Sequence, residues 1–391
     1  MNTGPETGSG LSLPPLSLYV HLPWCVRKCP YCDFNSHAAP ADLPREAYVD
    51  ALLQDLERDL PLVWGRPVHS IFFGGGTPSL FSAEQIGRML SGFRALLPVS
   101  PDAEISLEAN PGTTEHDSFE AYRAAGVNRV SLGAQSFDDR LLAKIGRIHG
   151  RSEIDRAVAA IRRAGITNFN IDLMFALPGQ SLEAALEDLR EAVRCESAHI
   201  SHYQLTLEPN TAFHVNPPAL PDDDLAWEMQ RLGAEILLEA GFEQYEISAW
   251  ARPGMRCRHN LNYWQYGDFI GIGAGAHGKI TLPSEETVLR RIRQRHPRAW
   301  LRAAAAGDAV ADEQRSALPE RIFEFFLNQL RLREGVRKDQ LSARTGAGWA
   351  DVAARVDVAI ERGLLDDSGG RLRPTELGWR FANDLQAIFL P

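Results

Sequence analysis

The chain has 391 residues, enough for one large domain and a smaller one. Its 44% hydrophobic and 24% charged content is that of an ordinary globular protein, and no apolar run reaches transmembrane length. A formal net charge of −10 argues against gripping phosphate backbones, so nucleic acid is not expected as a partner.

Residues 1–15 are rich in Gly, Pro, Ser and Thr. They lack the basic start and apolar core of a signal peptide and read as a disordered leader on a cytoplasmic protein. Alternating segments follow. Short β-branched and aromatic runs predict strands at 16–22, 68–73, 103–109, 129–133, 168–175 and 199–207. Helical spacing predicts helices at 44–60, 83–97, 114–125, 153–164, 182–194 and 224–240. Gly126, Gly165 and Gly241 each follow an Ala and suit the left-handed position after a helix end. Six βα units in series predict an α/β fold with parallel strands and right-handed crossovers. Six are too few for an eight-stranded barrel. A partial, open barrel is therefore expected, with a doubly wound sheet as the alternative. Either arrangement puts chemistry at the C-terminal ends of the strands.

Those ends carry it. Cys25, Cys29 and Cys32 follow the first strand at Cys-x3-Cys-x2-Cys spacing. Gly74-Gly75-Gly76-Thr77-Pro78 follows the second, Glu108-Ala109-Asn110-Pro111-Gly112 closes the third, Gln135 follows the fourth and Asp172 lies in the fifth. Three clustered thiols suit iron–sulfur or zinc. A four-iron cluster on three thiolates keeps one open iron. Structural zinc would need a fourth ligand, for which His21 and His37 are candidates. Cys195 and Cys257 stand alone and read as small buried hydrophobes.

The cysteine triplet, with Tyr31 before its last member, resembles the signature of the radical S-adenosylmethionine (SAM) superfamily. The longer string Leu18-Tyr19-Val20-His21-Leu22-Pro23-Trp24-Cys25 resembles the oxygen-independent coproporphyrinogen III oxidase family, and within it a haem-chaperone branch. The resemblance implies a partial (β/α)6 barrel and a [4Fe–4S] cluster on Cys25, Cys29 and Cys32. It further implies SAM on the open iron, cleaved by the reduced cluster to a deoxyadenosyl radical. Implied SAM contacts are Tyr19, Gly75, Gly76, Thr77, Glu108, Gln135, Arg147 and Asp172.

Beyond the six units, 241–251 reads as another strand. The string His259-Asn260-Leu261-Asn262-Tyr263-Trp264 resembles a segment of that branch associated with haem, so His259 is a candidate iron ligand and Tyr263 and Trp264 candidate packing partners. His277, in a Gly-rich segment, has a lesser claim. Residues 290–302 form a basic stretch read as a solvated linker face, with porphyrin carboxylates or an anionic membrane surface as other readings. From residue 318 the pattern resembles a winged helix. Its eleven Lys or Arg balance eleven Asp or Glu, which suits docking better than DNA binding. The domains expected are thus a leader at 1–15, a barrel with β extension at 16–290, a linker at 291–317 and a C-terminal domain at 318–391.

Two functions follow from the resemblance. One is a chaperone that binds haem and transfers it to acceptor haemoproteins, with peripheral membrane contact and a homodimer kept open. The other is an enzyme, oxidative decarboxylation of coproporphyrinogen III to protoporphyrinogen IX. The oxidases carry a further Cys two residues after the triplet, where this chain has Phe34, and a longer N-terminal region. Both departures favour the chaperone.

Overall fold

A computed structural model describes residues 10–112 and 117–391. Twelve strands form one sheet: β1 (Leu16–Leu22), β2 (Val68–Gly75), β3 (Val99–Ala109), β4 (Arg129–Gln135), β5 (Phe169–Phe175), β6 (His199–Gln204), β7 (Glu243–Gln244), β8 (Ala249–Ala251), β9 (Asp268–Ile272), β10 (His277–Leu282), β11 (Thr287–Arg293) and β12 (Val310–Ser316). Their spatial order is β12-β11-β10-β9-β1-β2-β3-β4-β5-β6-β8-β7. β1 to β6 pair in parallel, each with the next, as the six βα units predict. Every residue of β4 is buried. The crossover helices cover the outer face of these strands, and the inner face turns to the barrel interior.

The helices are α1 (Arg45–Val63), α2 (Ala83–Leu96), α3 (Phe119–Ala125), α4 (Asp139–Lys144), α5 (Arg151–Arg163), α6 (Leu182–Arg194), α7 (Asp223–Glu239), α8 (Arg258–Trp264) and α9 (Pro297–Ala306). Their starts are chemically marked. Ser82 and Gln85 form a reciprocal capping box before α2, and the Ser181 side chain accepts the Ala184 N–H before α6. The start expected for α3 at residue 114 lies outside the described residues. Its described start is capped by Ser118.

Several expectations are corrected. The strand expected over 241–251 is two short strands, β7 and β8, that pair antiparallel at the sheet edge. A parallel partner for β1 on its other side, β9, was not expected, because Asp268-Phe269-Ile270-Gly271-Ile272 merges with a Gly-rich turn. The linker expected at 291–317 is the end of β11, then α9 and β12. Arg293 there is buried and paired with Asp55 and Asp59 of α1, which ties the segment into the main core. Of the expected leader, residues 10–15 are described and packed. Leu11 is buried, the Ser12 N–H donates to the Ala343 carbonyl, and the Pro14 carbonyl accepts from Arg66.

The C-terminal part has α10 (Leu318–Gln329), α11 (Lys338–Thr345) and α12 (Ala353–Glu361), then a hairpin of Leu365–Ser368 and Arg371–Pro374 that pairs with Val336–Arg337. The chain then forms two short helices, Glu376–Arg380 and Ala382–Ala387, interrupted at Phe381. A second hydrophobic core lies here, and Tyr266 of the large part is one of its buried members.

Candidate functional site

The cysteine loop leaves β1 and returns when Trp24–Cys25 pair in parallel with His37–Ala38. Between those strands Cys29 and Cys32 are linked by a backbone turn, the Cys32 N–H donating to the Cys29 carbonyl at 3.2 Å. All three thiols are free and border one cavity of about 540 Å³. Among the described residues no three His, Cys, Asp or Glu side chains gather as a single metal ion requires. His21 does not serve as a fourth zinc ligand. Its Nδ1 and Nε2 lie 3.0 Å from the Tyr19 hydroxyl and the Asn35 carbonyl. Three separated thiols round one opening match the donor set of a multi-iron cluster. Arg147 Nη1 donates to Cys29 Sγ at 3.5 Å.

Gly75 and Gly76 line the same cavity, and both are required by the chain itself. Gly75 has φ of +111°, and a Cβ there would meet the His21 ring at 2.5 Å. A Cβ on Gly76 would meet the Trp24 carbonyl oxygen at 2.5 Å. The glycine turn thus lets β2 lie close under the start of the cysteine loop, and the Thr77 N–H donates to the Trp24 carbonyl at 2.7 Å. Thr77 itself is buried, accepts from Asn110 Nδ2 at 2.9 Å and stands beside Cys25, away from the two main cavities.

Glu108, Gln135 and Asp172 come from three successive strands, β3, β4 and β5, and Arg147 from the loop after α4, yet all line the 540 Å³ cavity. Only a curled sheet brings them together. Glu108 accepts from the Gly75 N–H at 3.2 Å. Desolvation, and next the nearby Asp172, push its carboxyl up to about 8. Desolvation also raises Asp172, opposed by hydrogen bonds from Asn170 at 2.8 Å and Ser131 at 3.1 Å. Arg147 Nη2 donates to Asn110 Oδ1 at 2.5 Å and the Gly133 carbonyl at 2.6 Å, while its buried Nε has no partner among the described residues. Gln135 holds φ of +72°, rare for a residue with a Cβ, and accepts from the Tyr203 hydroxyl at 2.8 Å.

A second cavity, about 820 Å³, opens beside the first and shares Phe34, Gly75, Glu108, Ser131, Asp172, Asn260 and Trp264 with it. Its walls are aromatic: Tyr19, Phe72, Tyr263, Trp264 and Phe269. His259 lies on this wall, with its ring centroid 5.0 Å from that of Phe72 and Nδ1 3.2 Å from Ser70 Oγ. Its Nε2 makes no hydrogen bond among the described residues. Desolvation, then Arg129, lower its pKa to about 3, so the imidazole is neutral and able to ligate. Tyr19 lines this second cavity with His259, apart from the thiols. His277 lines it as well.

Sequence reasoning missed Asn170, Ser201 and Tyr203. Asn170 sits two residues before Asp172 on β5, where a polar side chain at an alternate strand position was the signal, and Ser201 on β6 is the cross-strand partner of Asp172. Asn110 was visible in the Glu-Ala-Asn-Pro string.

Residues 19–192 match the radical SAM superfamily, and residues 317–381 match the HemN C-terminal domain. A protein of Escherichia coli (strain K12) named heme chaperone HemW is 48% identical over 380 residues, which cover 97% of this chain and 99% of that one. The chain belongs to the HemW family. Another HemW, from Haemophilus influenzae, is 47% identical over 382 residues, 97% of this chain and 98% of its own. HemW-type likeness extends to a bovine protein, radical S-adenosyl methionine domain-containing protein 1, mitochondrial, 38% identical over 307 residues that cover 76% of this chain and 69% of that one. Among solved structures, coproporphyrinogen III oxidase (HemN) from Escherichia coli shares the fold, with a TM-score of 0.82 at 23% identity over 96% of this chain and 90% of that one.

Proposed function

We propose that this chain is a haem chaperone that carries haem in the aromatic-walled cavity and passes it to acceptor haemoproteins. A [4Fe–4S] cluster and SAM would occupy the adjoining chamber. The observation that carries the reading is likeness over 97% of the chain to proteins named heme chaperone. The cavity supports it. Its volume, about 820 Å³, falls within the ~300–1,000 Å³ typical of small-molecule sites, and it offers aromatic faces and a neutral imidazole.

Cys25, Cys29 and Cys32 would hold the cluster, and Thr77 would steady Cys25. Gly75, Gly76, Glu108, Gln135, Arg147 and Asp172 would surround SAM, with Tyr19 between the two chambers. When bound, the cluster and SAM supply one-electron chemistry. The chain's own part is positional. Arg147 braces Cys29, and the Glu108–Asp172 pair offers two carboxyl groups to ribose hydroxyls, burial holding that of Glu108 up at about 8. Phe34, half-exposed, stands at the boundary of both chambers where the oxidases would place a further thiol. That favours carriage over decarboxylation. A membrane contact through 290–302 has little to work with, since Arg291 and Arg293 are engaged internally and only Arg295, Arg298 and Arg302 are exposed arginines of that run.

The test is a haemin titration of anaerobically reconstituted protein, followed by the Soret band. A parallel incubation supplies coproporphyrinogen III, SAM and reductant. Saturable haemin binding is expected, weakened about tenfold or more by His259→Ala, the order a lost axial ligand or strong polar contact implies. Cys29→Ala should remove the iron–sulfur absorption and leave haemin binding saturable, with faster release. Steady protoporphyrinogen production would replace this reading with the oxidase.

A further inference from the structure

β11 reads Arg290-Arg291-Ile292-Arg293, and strand alternation sorts the four. Arg291 and Arg293 turn to α1 and pair with Asp59 and Asp55. Arg290 and Ile292 turn the other way and line the aromatic-walled cavity. Two more groups join them there. His277 pairs across the sheet with Ile292, and Arg295 lies just past the end of β11. Asn35 Nδ2 fixes that end by donating to the Arg295 carbonyl at 2.8 Å and the Ala274 carbonyl at 2.9 Å. The Arg290 and Arg295 guanidinium groups, with the His277 imidazole beside them, form a cationic edge on a protein of net charge −10.

This edge has spare donors. Arg290 Nη2 donates to Glu324 at 2.5 Å, while its buried Nε has no partner among the described residues. Arg295 makes no ion pair among the described residues. Desolvation, then Arg290 and Arg295, lower the pKa of His277, which places all three groups within electrostatic reach of one another. A buried guanidinium N–H left without an acceptor costs free energy unless a ligand supplies one. The adjoining cavity wall is apolar, with Phe269 and Ile292. A flat apolar body with carboxylates on one edge fits that combination.

We infer that Arg290, Arg295 and His277 form a carboxylate-binding edge that receives the propionate side chains of haem and sets the orientation of the macrocycle. The inference rests on the haem reading above. Glu324 keeps its bond to Nη2, and because the free Nε–H is buried the Arg290 side chain shifts toward the cavity for a propionate oxygen to meet it. Arg295, reached from solvent, takes the outer carboxylate in the bidentate manner of guanidinium groups.

Haemin and haemin dimethyl ester, titrated in the same detergent buffer against the full chain, test this by Soret absorbance. The ester keeps the iron and the macrocycle and loses both charges. Wild type should bind haemin about tenfold or more tightly than the ester, the order expected for charge-assisted hydrogen bonds. Arg295→Gln, which breaks no ion pair, should narrow that preference, and Arg295→Lys should keep most of it. The double variant Arg290→Gln/Arg295→Gln should reduce it to about twofold or less, by weakening haemin alone. Equal wild-type affinity for both ligands overturns the carboxylate edge while the haem reading stands. So does an unchanged preference in Arg295→Gln, whatever the double variant's folding. Failure of wild type to bind either ligand overturns both.

Discussion

Glu108 and Asp172 put two carboxyl groups at one dry site, and burial decides what they do. Glu108 moves from its ordinary 4.5 to about 8, first by desolvation and then by repulsion from Asp172. Between those values the folded chain holds a proton that the unfolded chain has released. Stability therefore falls as pH rises from about 4.5 to about 8 and is flat above it. Glu108→Gln removes this dependence. In protein without ligand, its melting temperature should exceed that of wild type by a few degrees at pH 8, the scale of ~1 kcal/mol in a domain of this size, and the two should converge toward pH 5. An equal gap at both pH values would mean that Glu108 is ionised throughout. Legibility at this scale is uneven. Glu108 and Asp172 were visible because acids at strand ends are chemically conspicuous. The backbone of Gln135, at φ of +72°, was not, since no local pattern marks a Gln for the left-handed region.

β1 and α6 appear in the structure with the bounds that their sequence pattern predicts, Leu16–Leu22 and Leu182–Arg194. Both have unbroken periodicity and clean stops. β11 was misread because its meaning lies far off in the chain. Arg293 is strand-internal only because Asp55 and Asp59, one helical turn apart on α1, wait for it. Trp300 Nε1 also donates to Asp55 at 3.2 Å, so α9 hangs on the same pair. Two buried Asp on a helix face that is otherwise apolar were the available signal. Arg293→Met keeps length and apolar contact but leaves Asp55 without a cation and Asp59 with Arg291 alone. The expected loss is ~3–5 kcal/mol, read as a fall in the urea midpoint. Arg315→Met, which removes an exposed pair with Glu285, should cost under ~1 kcal/mol in the same assay.

The large and C-terminal parts of the molecule close on each other through residues that also border the aromatic-walled cavity. Tyr266 is buried in the C-terminal core, and its hydroxyl donates to Glu324 at 2.7 Å, the same acid that accepts from Arg290. Arg331 pairs with buried Glu246 at 3.2 Å and lies over the ring of Trp264, 4.4 Å from its centroid. A chain stopped at residue 316 would uncover Tyr266 and Trp264 and leave Glu246 without its cation. Light scattering should find it aggregated or, where soluble, haemin titration should find its affinity reduced at least tenfold, the scale of a lost buried ion pair. Undiminished affinity would make the C-terminal half a bystander.

Asn35 sits three residues beyond Cys32, and its amide spans to the backbone of Ala274 and Arg295. One side chain thus stitches the cysteine loop to the wall from which Arg295 projects. Injury to the thiols would travel through that stitch as a loosened grip on cargo, so peroxide-treated protein should shed haemin faster than untreated protein. The carrier would then let go where oxidants are present.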